Sequence, residues 1–255
     1  MSTANLQSAA LREVDTQGGG RQTAKAGVHT VDLAKTSLRD LNDELQGENG
    51  TGSHAHWEVS DPRGKHAVAV GLDAPITVSI NGSVGYYCAG MNKQATVIVH
   101  GSAGPGVAEN MMSGKVIVEG NASQYAGATG HGGLLVVEGN ASSRCGISMK
   151  GINIVVKGNI GHMSAFMAQS GNLVVLGDAG DALGDSIYEA RLFVRGNVKS
   201  LGADCIEKEM RPEHHEFLAD LLKQAGIADV KTSEFKRYGS ARQLYNFNID
   251  NADAY

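Results

Sequence analysis

The chain has three cysteines, and none of them belongs to a C-x-x-C pair. Isolated thiols of this kind fit a reducing, cytoplasmic setting better than a disulfide framework or a zinc knuckle. Cys88 and Cys145 fall at the same phase of an internal repeat but three repeats apart. In stacked coils that separates them by about 14 Å, too far to share a metal ion. Cys205 stands by itself. His54 and His56 form an H-x-H in a polar stretch, and His214-His215 opens a helical segment. Neither pair has a Cys, Asp or Glu at ligand spacing. His100, His131 and His162 fall at different phases, so no histidine column forms, and all of these are read as solvated surface residues. Asp178, Asp181 and Asp185 share a Gly-rich turn, as in a calcium roll. Such rolls repeat their acidic motif about every nine residues, and here it occurs once. The glycines from Gly127 to Gly133 do not open a helix and lack the setting of a phosphate loop. There is no G-x-S-x-G elbow. No catalytic, cofactor-binding or metal-binding residue is therefore assigned to this chain.

Composition limits the function in the same direction. Of 255 residues 42% are hydrophobic and 19% charged, enough for a sizeable core. The formal net charge of −5 gives no footprint for nucleic acid or an anionic membrane. No apolar run approaches the roughly 18 residues of a membrane span, so a cytoplasmic protein is expected. The chain has 34 glycines but only 4 prolines, which points to many tight turns in a β-rich fold rather than to collagen or a linker.

The elements that carry these residues follow a repeat. Gly82, Gly101, Gly120, Gly139, Gly158, Gly177 and Gly196 recur every 19 residues. Each closes a short apolar run, from Val78-Ser79-Ile80 to Leu192-Phe193-Val194. The next residue is always a turn former: Ser83, Ser102, Asn121, Asn140, Asn159, Asp178 or Asn197. Such residues suit hydrogen-bonded ladders between coils. Seven residues after each marker the side chain is always small: Ala89, Ala108, Gly127, Gly146, Ala165, Gly184 or Ala203. β-branched triplets between Gly-rich turns are too short for helices. A propeller blade needs about 40 residues, and sandwich strands keep no fixed period. The expected fold is all-β: a right-handed single-stranded β-helix of about seven coils over residues 76–208, some 33 Å long.

Strand parity splits each run into two faces. Residues two and four before the marker are Val, Ile or Leu in every coil, which makes that side the core. Three before it lie Ile98, Ile117, Val136, Val155, Val174 and Phe193, an outward apolar stripe. Such a stripe is either a partner interface or a seat for the chain's own terminal helix, and the sequence leaves both open.

Residues 1–28 are polar and read as disordered. The stretch 29–75 holds a short helix, capped by Ser37 and Asp40 with Leu38, Leu41 and Leu45 on one face, and a polar lead-in. Over 209–255, Pro212 opens a second helix with Phe217, Leu218, Leu221, Leu222 and Ala225 on one face and Gly226 at its stop. Beyond it come Phe235, Tyr238, Tyr245, Phe247 and Tyr255. Aromatic anchors on a tail with little core of its own are expected to bind a partner.

The repeat resembles the G-x-G-x-G domain of the glutamate synthase large chain, a right-handed β-helix. The carrying residues are Gly82 to Gly85, Gly101 to Gly104, Gly158 to Gly161 and Gly177 to Gly180, while Ser123, Ser142 and Lys199 depart from the pattern. Gly85-Tyr-Tyr-Cys-Ala-Gly-Met91, Gly130-His-Gly-Gly133, Ala203-Asp-Cys-Ile-Glu-Lys-Glu209 and the stretch from Phe235 to Tyr245 bring it closer to the stand-alone β-helix subunit of N-methylglutamate synthase. The resemblance implies a non-catalytic subunit without cofactors of its own. The implied partners are an amidotransferase-like subunit and a subunit carrying FMN and an iron–sulfur cluster. The β-helix subunit of formylmethanofuran dehydrogenase resembles the same repeat and is the competing expectation. A free-standing carbohydrate-binding solenoid would show aromatic or acidic ladders, which this chain lacks.

Overall fold

The computed structural model describes residues 27–47 and 55–242. Nine strands stack in chain order, each parallel to the next: β1 (Val28–Asp32), β2 (His56–Ser60), β3 (Thr77–Asn81), β4 (Thr96–Val99), β5 (Lys115–Val118), β6 (Leu134–Val137), β7 (Lys150–Val156), β8 (Ser170–Val175) and β9 (Arg191–Val194). When the next strand in sequence is also the parallel neighbour, the chain must travel once around per rung. The fold is therefore a single-stranded β-helix. Strands β3 to β9 are the expected coils, in unbroken register from Val78 through Val97, Val116, Leu135, Ile154 and Leu173 to Leu192.

Two rungs were not expected. The lead-in supplies β1 and β2, which continue the same sheet with Val31 opposite Val59 and Trp57 opposite Val78. Helix α1 (Leu38–Gln46) is inserted between these two strands, and the spacing into β3 is longer than the repeat, so both escape a search by period. Ser37 caps α1 as anticipated, its Oγ accepting the Asp40 N–H at 3.1 Å. Leu41 and Leu45 are fully buried with Trp57, Val59 and Leu72, so α1 closes the N-terminal end of the core.

A second column of parallel bridges joins Val84, Ala103, Ala122, Ala141, Ile160, Ala179 and Val198. Each coil is thus pinned to the next on two sides. Between marker glycine and second column runs a ladder. The Asn121 side-chain oxygen accepts the Asn140 N–H at 2.8 Å, Asn140 accepts Asn159 at 2.8 Å, and Asn159 accepts Asp178 at 2.7 Å. Ser83 and Ser102 start it and Asp178 ends it on Asn197. In each rung the backbone N–H donates to a side-chain oxygen of the preceding coil, so the ladder does not run between side chains. They also explain the marker: a Cβ on Gly158 would collide with the Gly139 backbone and with Asn140 Oδ1.

The small position lies on a left-handed turn that faces the core. Ala89, Ala108, Gly127, Gly146, Ala165 and Gly184 all lie at φ between 53° and 68°, inside overlapping turns such as Ala128 N–H to Tyr125 C=O and Gly130 N–H to Gly127 C=O. The neighbouring turn positions share this φ yet carry Tyr125, Arg144 and Met163, so burial sets the size: each small residue faces the packed interior, where a Cβ on Gly127 would meet the Ile154 side chain. Ala203, in the decaying last coil, does not adopt it.

The C-terminal end is closed by antiparallel pairing. Strand β10 (Cys205–Lys208) leaves the stack, α2 (Pro212–Gln224) follows, and β11 (Lys236–Ser240) returns between β9 and β10.

Candidate interface and the cover of the outward stripe

The outward stripe exists as a column in register: Ile98, Ile117, Val136, Val155, Val174 and Phe193 are direct neighbours on successive strands. Most of it is not free. Val136, Val155, Val174 and Phe193 are buried with Leu218, Leu221, Leu222 and Ala225 of α2 and with Phe235. Of the two occupants the sequence allowed, the chain's own helix covers this part. Thirteen helical residues span about 20 Å, enough to cross the three spacings of about 14 Å from β9 to β6. Phe217, midway along α2, has its ring centroid 6.3 Å from that of Phe193, and Lys115 Nζ donates to the Gln224 carbonyl at 2.8 Å at the helix C-terminus. That lysine neutralises the negative helix C-terminus. Ile117 packs half-buried at the edge of this cluster, and Ile98, one strand further, is half-buried too. An open hollow of about 550 Å³ lies at the same end, lined by Leu222, Lys223, Ile227 and Val230.

The aromatic tail needs a matching correction. Phe235 and Tyr238 are 4% and 5% exposed. Phe235 packs under α2, and Tyr238 enters the main core from β11. They hold the chain's own end together, because β11 needs both sides of its strand buried between β9 and β10. Tyr245, Phe247 and Tyr255 lie outside the described residues, as do most of the N-terminal 1–28 segment and His54.

The three cysteines are buried, and the acidic cluster from Asp178 to Asp185 is tied into the turns. Burial pushes the Cys88 and Cys145 thiols up to about 12, and Cys205 likewise, so none is a nucleophile near neutral pH. Asp181 pairs with Lys199 at 2.7 Å, which lowers its carboxyl; Asp178 belongs to the ladder, and Asp185 accepts from Ser186 Oγ at 3.0 Å. Among the described residues no three His, Cys, Asp or Glu side chains group as metal ligands. His100 pairs with Glu119 at 3.0 Å on the surface. His214 differs from the sequence expectation: it is 1% exposed, and its Nδ1 accepts the Arg211 N–H at 3.0 Å. Burial, then Arg237, hold its imidazole below the usual range.

No protein-family model matches the chain. It is 74% identical over 225 residues to Protein GlxC of Rhizobium meliloti (strain 1021), covering 88% of this chain and 99% of that protein. The chain belongs to the GlxC family. In this family member the large apolar side chains left exposed lie mainly in the turns, with Tyr86, Met91, Met112 and Met167 each 44% to 51% exposed. Their signal in the sequence is a long apolar residue at a turn position, outside the strand alternation. No described helix is long and apolar enough to cross a membrane.

Proposed function

We propose that the chain is a structural, non-catalytic subunit of a glutamate synthase-like enzyme complex in the cytoplasm. The observation that carries this is GlxC-family membership in a β-helix whose repeat resembles the glutamate synthase large-chain domain. The more specific form is N-methylglutamate synthase, in which methylamine and glutamate give N-methylglutamate and ammonia. An amidotransferase-like subunit and a subunit bearing FMN and an iron–sulfur cluster would do the chemistry. This chain would hold them in register so that the amine passes between sites without escaping.

The architecture suits that role. Two columns of backbone pairing and a ladder fasten every coil to its neighbours, which makes a stiff rod. Closure of both ends by the chain's own elements leaves the sides to bind partners. Reconstitution tests it: methylamine-dependent release of ammonia from glutamate should require this chain together with both partners. Full activity of the partners without it would remove the scaffold role.

A further inference from the structure

Strands β10 and β11 pair with Lys208 directly opposite Arg237. Like charges in that position repel, and a sheet normally avoids them. Here the conflict is deepened by burial, because Arg237 is only 3% exposed. Its Nε donates to the Glu209 carbonyl at 3.0 Å, and among the described residues this is its one hydrogen bond; Lys208 makes none and no ion pair. Arg191 comes from β9, its guanidinium 4.5 Å from the Phe217 ring and its Nε bonded to Asn172 Oδ1 at 2.9 Å. Arg211, at the start of α2, lies 3.4 Å from Glu213.

Lys208 and Arg237 sense the cations around them. Desolvation lowers Lys208, with Arg237 and Arg211 adding to it, and desolvation followed by Arg211 and Arg191 lowers Arg237. Among the described residues Glu213 and Glu209 act on Arg237, but neither reaches it or Lys208 as an ion pair. Glu207 is taken by Lys236 at 3.0 Å, and Glu189 contributes a carboxylate to the lining of the cleft between the strands. That cleft, lined also by Tyr188, Arg191, Lys208, Arg237 and Ser240, has a volume of about 10 Å³. This is room for one oxygen-sized atom. A buried guanidinium beside an unpaired ammonium is costly unless an anion neutralises it.

We propose that this cleft is an oxyanion site, in which one oxygen of a carboxylate or phosphate group seats between Lys208 and Arg237. The group is either a free small anion or an acidic side chain of another protein. The site does not depend on the scaffold role.

The thermal midpoint of the full chain, measured at constant ionic strength while chloride is replaced by inorganic phosphate or by glutarate, tests it. The midpoint should rise saturably in the wild type. Lys208→Gln should start from an equal or higher midpoint in chloride, because a like-charge contact is gone. It should bind either ion about tenfold more weakly, in line with loss of a charge-assisted hydrogen bond. Lys35→Gln, at a side chain 83% exposed elsewhere, should respond as the wild type. Identical responses of Lys208→Gln and wild type, or no saturable response in the wild type, overturn the site. Repeating the titration on complex purified from the native cell separates the sources: a response that persists assigns a free anion, and one lost on assembly assigns a partner's carboxylate.

Discussion

At the residue scale, the repeat is a set of contacts that each admit few side chains. Gly158 lies against the Gly139 backbone and Asn140 Oδ1, whereas Asn140 Oδ1 accepts one hydrogen bond from the Asn159 N–H. The two should respond differently to alanine. Asn140→Ala removes one bond and should cost about 1 kcal/mol. Gly158→Ala forces backbone apart in two coils and should cost about 3 kcal/mol or more, read as the urea midpoint of each variant. Equal small losses would mean that the ladder and marker do not meet as described. The thiols give a pH prediction. Their folded values near 12 lie above the unfolded value near 9, so the unfolded chain ionises first. The cysteine contribution is therefore complete below pH 9 and is lost between about 9 and 12. Stability should fall across that window more steeply than in a Cys88→Ala/Cys145→Ala variant, and iodoacetamide at pH 8 should leave native thiols unmodified.

At the element scale, α2 and β11 are parts of the fold rather than appendages. Val155 is fully buried beneath α2. Val155→Asp would bury a carboxylate without a partner and should cost about 3 kcal/mol or more, seen as a lower melting temperature of the isolated chain. Leu221→Ala, on the facing side, should cost about 2–4 kcal/mol. An unchanged melting temperature in both would detach the helix from the sheet. Deleting residues 233–255 removes β11, Phe235 and Tyr238, and uncovers the edge of β9. The truncated chain should aggregate, because an open edge next to apolar side chains recruits other chains.

Those elements also mark how far the sequence could be read. The period of 19 and the parity of Val97 and Val99 made β3 to β9 legible, and Ser37 with Leu41 and Leu45 made α1 legible. Strands β1 and β2 were hidden because an inserted helix and an irregular spacing broke the period. The fate of the stripe was not legible, since an apolar column looks the same under a partner or under α2. Phe235 and Tyr238 were misjudged because antiparallel return of β11 is a non-local event with no repeat to announce it. The Lys208–Arg237 contact was invisible for the same reason.

At the scale of the whole molecule, a rod closed at both ends by its own chain offers its sides to partners. Among the described residues its exposed large apolar side chains are Tyr86, Met91, Met112 and Met167 in or beside the turns, with Val28, Tyr188 and Ile206. The most direct test of the scaffold role is to purify the chain from its native cell under mild conditions and identify what co-elutes. The proposed function predicts a hetero-oligomer containing an FMN-bearing chain and an amidotransferase-like chain. Elution as a stable monomer or homo-oligomer with neither would contradict it.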